Sequence, residues 1–158
     1  MAGFKVHTVG GVFSALLVYG ILLGIACIAE LEPVMMFVAH RPTFLGLCAL
    51  TVLCALFPDI DTNSVVHETV YGALVVVDIF LIVAKFYVAA SVLGLVAMIP
   101  ILGKHRGWTH SWFSCFLMPL PLLLIPVFTF GQPWWHGILW YGAAVAGYAT
   151  HLAIDAVF

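Results

Sequence analysis

Four short stretches carry the side chains best suited to chemistry: "KVHTVGG" with His7, "PDID" with Asp59 and Asp61, "HRGWTHS" with His105, Arg106, Thr109, His110 and Ser111, and "HLAID" with His151 and Asp155. His151 and Asp155 stand four apart. On a helix that spacing stacks both side chains on one face and offers two metal ligands, or a ligand with its supporting carboxylate. A polar pair reaching for water at a helix end is the alternative. Asp59 and Asp61 follow Pro58 directly, where an extended or turn backbone can aim both carboxylates at one cation. Two anions so close repel unless a metal or a proton compensates them. A solvated turn at a helix end would also account for them.

His105 and His110 are five apart, about 140° out of phase on a continuous helix. They converge only if Gly107 breaks the geometry and His110 opens the next helix, with Thr109 or Ser111 as its cap. Arg106 has the planar fork that suits a phosphate oxygen. A basic anchoring loop would explain Lys104 and Arg106 but neither histidine. His7 is a lone histidine that gains meaning only from its company. Ser64, Thr109 and Ser111 are candidate supports behind the ligands, and His67 and Glu68 are candidates in reserve. His40 and His136 fall at the opposite boundary and read as interfacial. Cys27, Cys48, Cys54 and Cys115 sit in apolar stretches with no C-x-x-C pair and read as small apolar side chains.

Asp59, Asp61, His110, His151 and Asp155 are therefore the candidate metal ligands, with His7 and His105 as further ligands or acid and base groups. Imidazole nitrogen with carboxylate oxygen suits zinc, manganese, iron or magnesium rather than copper(I). The donors outnumber what one tetrahedral zinc needs, so one or two ions are open. An ion so held lowers the pKa of bound water and polarises a phosphoryl or carbonyl oxygen.

The elements that must position these residues are membrane helices. The chain has 158 residues, 65% hydrophobic and 8% charged, and a mean hydropathy of +1.20. No polar shell for a soluble domain can be assembled from that composition. A net charge of -2 supplies no clustered basic surface for nucleic acid. No linker or repeat divides residues 1–158, so one integral membrane domain of all-α class is expected, a polytopic bundle with about five or six membrane segments. Val9 to Ala29 is a retained full span rather than a cleaved leader. Thr43 to Phe57 is shorter and stopped by Pro58. Val70 to Leu102 would reach about 50 Å as one helix, well beyond the hydrocarbon core, so it is expected to fold back near Lys85 as a short or re-entrant hairpin. Trp112 to Phe130, with Pro119, Pro121 and Pro126, should be kinked. "GQPWWHG" reads as an interfacial turn, and Gly137 onward is the last span.

Counting crossings turns this into a functional expectation. With the hairpin, the amino-terminal His7, the aspartates, the 105–111 stretch and His151 with Asp155 all meet at one face. Without it, the histidine stretch lies opposite the aspartates. Lys5, Lys104 and Arg106 on that face against Arg41 and Lys85 on the other lean toward a cytoplasmic site.

With these residues assembled, the chain resembles the YdjM-type family of LexA-regulated, inner-membrane, predicted metal-dependent hydrolases. The matching pieces are His7 with Gly10, "PDID" with Ser64, "HRGWTHS" and "GYATHLAID" at 147–155, in order along nearly the whole chain. Phe57 stands where the family has Leu, and Thr62 with Asn63 where a His-Pro pair is frequent, which makes His67 a candidate substitute ligand. The family is likened to zinc-dependent phospholipase C. The resemblance implies phosphoester hydrolysis at a metal centre in a bacterial or archaeal inner membrane, with a lipid or amphiphilic substrate. Two rival expectations stand beside it: a metal-ion or proton transporter or channel, for which Asp78 and Lys85 are the intramembrane candidates, and a structural membrane protein with a bound metal.

Overall fold

The computed structural model describes residues 4–61, 65–102 and 108–157, and among them every regular element is helical. Helix α1 spans Phe4–Ile28. It ends on a left-handed residue, Glu30 at φ 53°, with the Leu31 amide bonded to the Ala26 carbonyl at 2.9 Å and the Glu30 amide to Cys27 at 3.3 Å. That pair of bonds is a Schellman stop, made here without glycine. Helices α2 (Glu32–Ala39) and α3 (Arg41–Leu56) both carry proline in the first turn, where the missing N–H has no helical partner to lose. The polar break read from sequence at 30–42 is thus largely helical. Pro58 then prevents α3 from continuing, and the chain tightens into a 3-10 turn over Phe57–Asp61.

The expected hairpin is present. Helix α4 (Val65–Val83) and α5 (Tyr87–Leu102) are joined by a second Schellman stop at Lys85, φ 64°, where Phe86 N–H reaches Leu81 O at 2.8 Å and Lys85 N–H reaches Ile82 O at 3.0 Å. Tyr71 ties the two arms by donating its hydroxyl to Ala97 O at 2.8 Å. The α4 helix begins before Val70, so His67 and Glu68 lie in its first turns rather than in a loop. The proline-rich span is broken, not merely bent: α6 (Trp112–Leu117) stops at Met118 and Pro119, and α7 (Leu120–Phe128) resumes. Helix α8 runs over Trp134–Val157 and takes in the tryptophans expected in a turn.

Helices α1, α3 and α8 pack mutually, and α7 lies on α8. In lipid, helices approach closely where small residues let backbones touch. At Gly147 a Cβ would collide with the Thr51 carbonyl, and at Gly11 it would meet Ala55 Cβ at 2.9 Å. The outward surface is apolar, with Val9, Phe13 and Ile28 on α1, Val76 and Phe80 on α4 and Phe113 on α6 all exposed. Phe4–Ile28 and Arg41–Asp59 are long and apolar enough to cross a membrane, while Tyr87–Met98 and Trp112–Phe128 are apolar but shorter. Two such stretches among the described residues compare with the five or six segments expected.

The helix ends sort into two sets. Phe37 of α2 stacks on His136 at 4.1 Å and meets Trp135 edge-on at 5.4 Å, and Phe86 of the hairpin turn meets Phe130 at 4.9 Å. The other ends of α1, α3 and α8, with the residues leading into α6, come together around the polar side chains.

Candidate metal centre

Two helices and two turns deliver the centre. His7 comes from the first turns of α1, Asp59 from the 3-10 turn below α3, His110 from just before α6, and His151 with Asp155 from successive turns of α8. His110 Nε2 lies 3.4 Å from Asp59 Oδ1 and 3.6 Å from Asp155 Oδ2. His151 Nε2 lies 3.7 Å and 3.4 Å from the same two oxygens. One donor atom from each of Asp59, His110, His151 and Asp155 falls within 4.8 Å of all the others.

Local structure explains why each side chain is held. The four-residue spacing puts His151 and Asp155 on one face of α8, as the sequence indicates. Gly147, one turn earlier, brings α8 against the α3 backbone, and His151 Nδ1 then meets the Ala55 carbonyl at 2.8 Å. A carbonyl only accepts, so Nδ1 carries the proton, and in the neutral ring Nε2 is left with its lone pair toward the carboxylates. His110 is fixed from both sides. Ser111 caps α6, accepting from the Ser114 amide at 3.2 Å and donating to Trp108 O at 2.6 Å. Tyr148 of α8 donates its hydroxyl to Thr109 O, and the Thr109 hydroxyl lies 3.3 Å from His110 Nδ1.

These donors fit a divalent cation. Nitrogen and oxygen ligands sit about 2.0–2.2 Å from an ion such as zinc, which makes the edges of a tetrahedron about 3.3–3.6 Å long. Three of the four nitrogen-to-oxygen separations above fall within that range, and the fourth, His151 Nε2 to Asp59 Oδ1 at 3.7 Å, is slightly longer. No hydrogen bond reaches His151 Nε2, His7 Nδ1 and Nε2 or Asp155 Oδ1 among the described residues, although all are buried. Buried polar atoms are almost always satisfied, and a shared cation would satisfy these together. The side chains of His7 and His151 are 1% and 0% exposed, whereas Asp59, Asp155 and His110 are 15%, 17% and 18% exposed, so two of the histidines are enclosed while the other three side chains keep partial access to solvent.

A family model described as YdjM inner membrane protein matches residues 1–158. The chain belongs to that family. No curated protein and no solved structure matches it. Membership makes this an inner membrane protein, in keeping with its apolar helices.

Of the residues singled out from sequence in this family member, His7, Asp59, His110, His151 and Asp155 are brought together. The Thr109 hydroxyl lies against the His110 ring, and Ser111 caps α6 beside it. His67 lies against Tyr71 at 4.5 Å, and Glu68 is exposed on α4; neither belongs to the four-residue group. Ser64, His105 and Arg106 lie outside the described residues, as does the side chain of Asp61. His40 and His136 fall at the opposite end, as expected. Sequence reasoning missed Ala55, Tyr148 and Gly147. A backbone carbonyl carries no sequence signal, and although Gly147 and Tyr148 open the matching stretch "GYATHLAID", nothing in their types indicates a close helix approach or a bond to Thr109.

Proposed function

We propose that this protein is a membrane-embedded, metal-dependent hydrolase that cleaves a phosphoester of a lipid or another amphiphile at the bilayer surface. The observation that carries the reading is an apolar cavity of about 380 Å³ that comes within two residues of Asp59 along the chain, at Phe57, although no residue of the four-donor group lines it. The cavity runs among α3, the α4 and α5 hairpin, α7 and α8. Phe57, next to the aspartate turn, and Tyr148, which holds Thr109, line it, and so do Phe130 and Trp140 toward the other end. Its volume lies in the range of small-molecule sites. Tyr148 to Trp140 along α8 gives it about 12 Å of depth. An acyl chain in the cavity would present its headgroup to the partly exposed side chains of the centre.

Asp59, His110, His151 and Asp155 would hold the cation, zinc or manganese being best suited to the donors. When bound, such an ion supplies Lewis acidity, polarising a phosphoryl oxygen and making water a stronger acid. The chain's own residues do the positioning. Ala55 holds the His151 ring in the tautomer that frees Nε2, and Tyr148 holds the His110 backbone. Arg106 is assigned to phosphate oxygens, and His105 to proton transfer, on their adjacency in sequence to His110. Helix α8, at 24 residues, reaches about 36 Å and is long enough to cross. With the two apolar spans, the hairpin arms and the broken α6 and α7, this supports a bundle of five or six segments, and the balance of Lys5, Lys104 and Arg106 against Arg41 and Lys85 is what favours a polar end facing the cytoplasm.

The test is hydrolysis of a labelled phospholipid panel by purified protein, beside His110→Ala and Asp59→Ala. Turnover by the unaltered chain and its loss in both variants is expected; equal activity in all three, or none in any, ends the reading. A transporter is the second reading, favoured by Asp78, whose Oδ1 is buried in mid-helix without a hydrogen bond among the described residues. Proteoliposome flux that depends on Asp78, without turnover, would put it first.

A further inference from the structure

Each carboxylate of the centre shows its two oxygens to different histidines. Asp59 turns Oδ1 to His110 and His151, while its Oδ2 faces His7 Nε2 at 4.0 Å. Asp155 repeats the division: Oδ2 serves His110 and His151, and Oδ1 faces His7 Nε2 at 3.3 Å. A cation held by His110, His151 and one oxygen from each aspartate therefore uses half of each carboxylate. The other two oxygens, Asp59 Oδ2 and Asp155 Oδ1, face His7.

His7 has no other evident task. Its ring is 1% exposed, and neither nitrogen has a hydrogen-bond partner among the described residues. Even the 3.3 Å approach to Asp155 lacks the alignment of a hydrogen bond, since both atoms remain unsatisfied. The ring lies flat on that of His151, centroids 3.9 Å apart and planes 18° apart, which fixes its plane. An imidazole that is buried, held and unsatisfied, next to two carboxylate oxygens, is a set of donors in want of an acceptor of electron pairs.

We propose a second cation position formed by His7 Nε2, Asp59 Oδ2 and Asp155 Oδ1, so that both aspartates bridge two divalent ions. The inference rests on the metal-centre reading of the first position. That first position has four protein donors, which saturate a tetrahedral ion; the second has three, the number at which catalytic sites keep a place open for substrate or water. Ions paired in this way stand about 3.5–4 Å apart and can clamp both sides of a transferring phosphoryl group. The chemical class that such a pair suits is a phosphoester with two free or bridging oxygens to offer.

Purified full-length protein in detergent, loaded with manganese, supplies two readouts that do not depend on turnover: metal per chain by elemental analysis, and the electron paramagnetic resonance spectrum. Close to two ions per chain with an exchange-coupled spectrum are expected. His7→Ala should drop to close to one ion with an isolated-ion spectrum and unchanged helical circular dichroism, and His7→Gln serves the same purpose if the alanine variant does not fold. One ion in the unaltered protein, or two coupled ions in both His7 variants, overturns the proposal. No ion at all removes the first position too, so failure of the second site is distinguishable from failure of the centre.

Discussion

The Tyr148 hydroxyl donates to the Thr109 carbonyl, a buried bond that ties α8 to the residue immediately before His110. Two residues of the candidate centre, His110 and His151, are thus tied in relative position through the Tyr148 hydroxyl. Removing the hydroxyl leaves a buried carbonyl unsatisfied at a cost of about 1–3 kcal/mol. Outer groups that orient metal ligands affect binding by about 10–100-fold. Tyr148→Phe should therefore weaken metal binding on that scale in a chelator competition and lower the unfolding temperature in detergent. Unaltered affinity would mean that His110 is placed by other contacts.

Gly147 sets the distance between α8 and α3 one turn before His151. Its Cβ would collide with the Thr51 backbone, which cannot swing aside as a side chain can. Gly147→Ala should force the helices apart, cost about 1–3 kcal/mol as overpacking does, and pull His151 from Ala55. Gly142, on the same helix, has nothing within 4 Å of the place a Cβ would occupy. Gly142→Ala should stay within about 1 kcal/mol of the parent. Thermal unfolding of the pair checks this, and equal loss in both would point to helix propensity rather than close approach.

Metal removal should destabilise the whole bundle, because the centre joins α1, α3 and α8 with the turn before α6. Binding to the folded state alone contributes about 2.7 kcal/mol when free ion stands at a hundred times its dissociation constant. Excess chelator should lower the unfolding temperature of the parent protein, and added metal should restore it. Asp155→Ala, which removes an oxygen from each proposed position and leaves the first with three donors and the second with two, should respond more weakly to both. A parent protein indifferent to chelator, with metal absent on elemental analysis, would sink the centre.

The difference between what was legible in sequence and what was not is physical. The spacing of His151 and Asp155 declares a shared helix face, and the excess length of 70–102 over a bilayer forces a turn, which falls at Lys85. Crossing arithmetic then brings His7, Asp59 and His110 to the same end. Relations across space left no such trace: the Ala55 carbonyl that orients His151, the Gly147 approach to Thr51 and the Tyr148 bond to Thr109 join residues far apart in the chain. Helix α2 was hidden because Glu32, Pro33 and His40 look like a break, although proline in a first turn starts a helix as readily as it ends one.

Ala89, on α5, is buried and is one of the residues that line the apolar cavity. Ala89→Phe should fill the part of the cavity between the hairpin and α7 without touching a residue of the centre. If an acyl chain lies there in the reacting complex, the variant should slow cleavage of long-chain lipid by about tenfold, equivalent to 1.36 kcal/mol of lost transition-state binding. A short-chain, water-soluble phosphoester needs no cavity and should be cleaved at the parent rate, with metal content unchanged. The contrast between the two substrates is what matters: equal slowing of both would report a disturbed fold, and equal retention of both would show that lipid chains lie elsewhere. Binding energy gathered far from the reacting bond would then have no part in the reaction, and the cavity would lose its place in the reading.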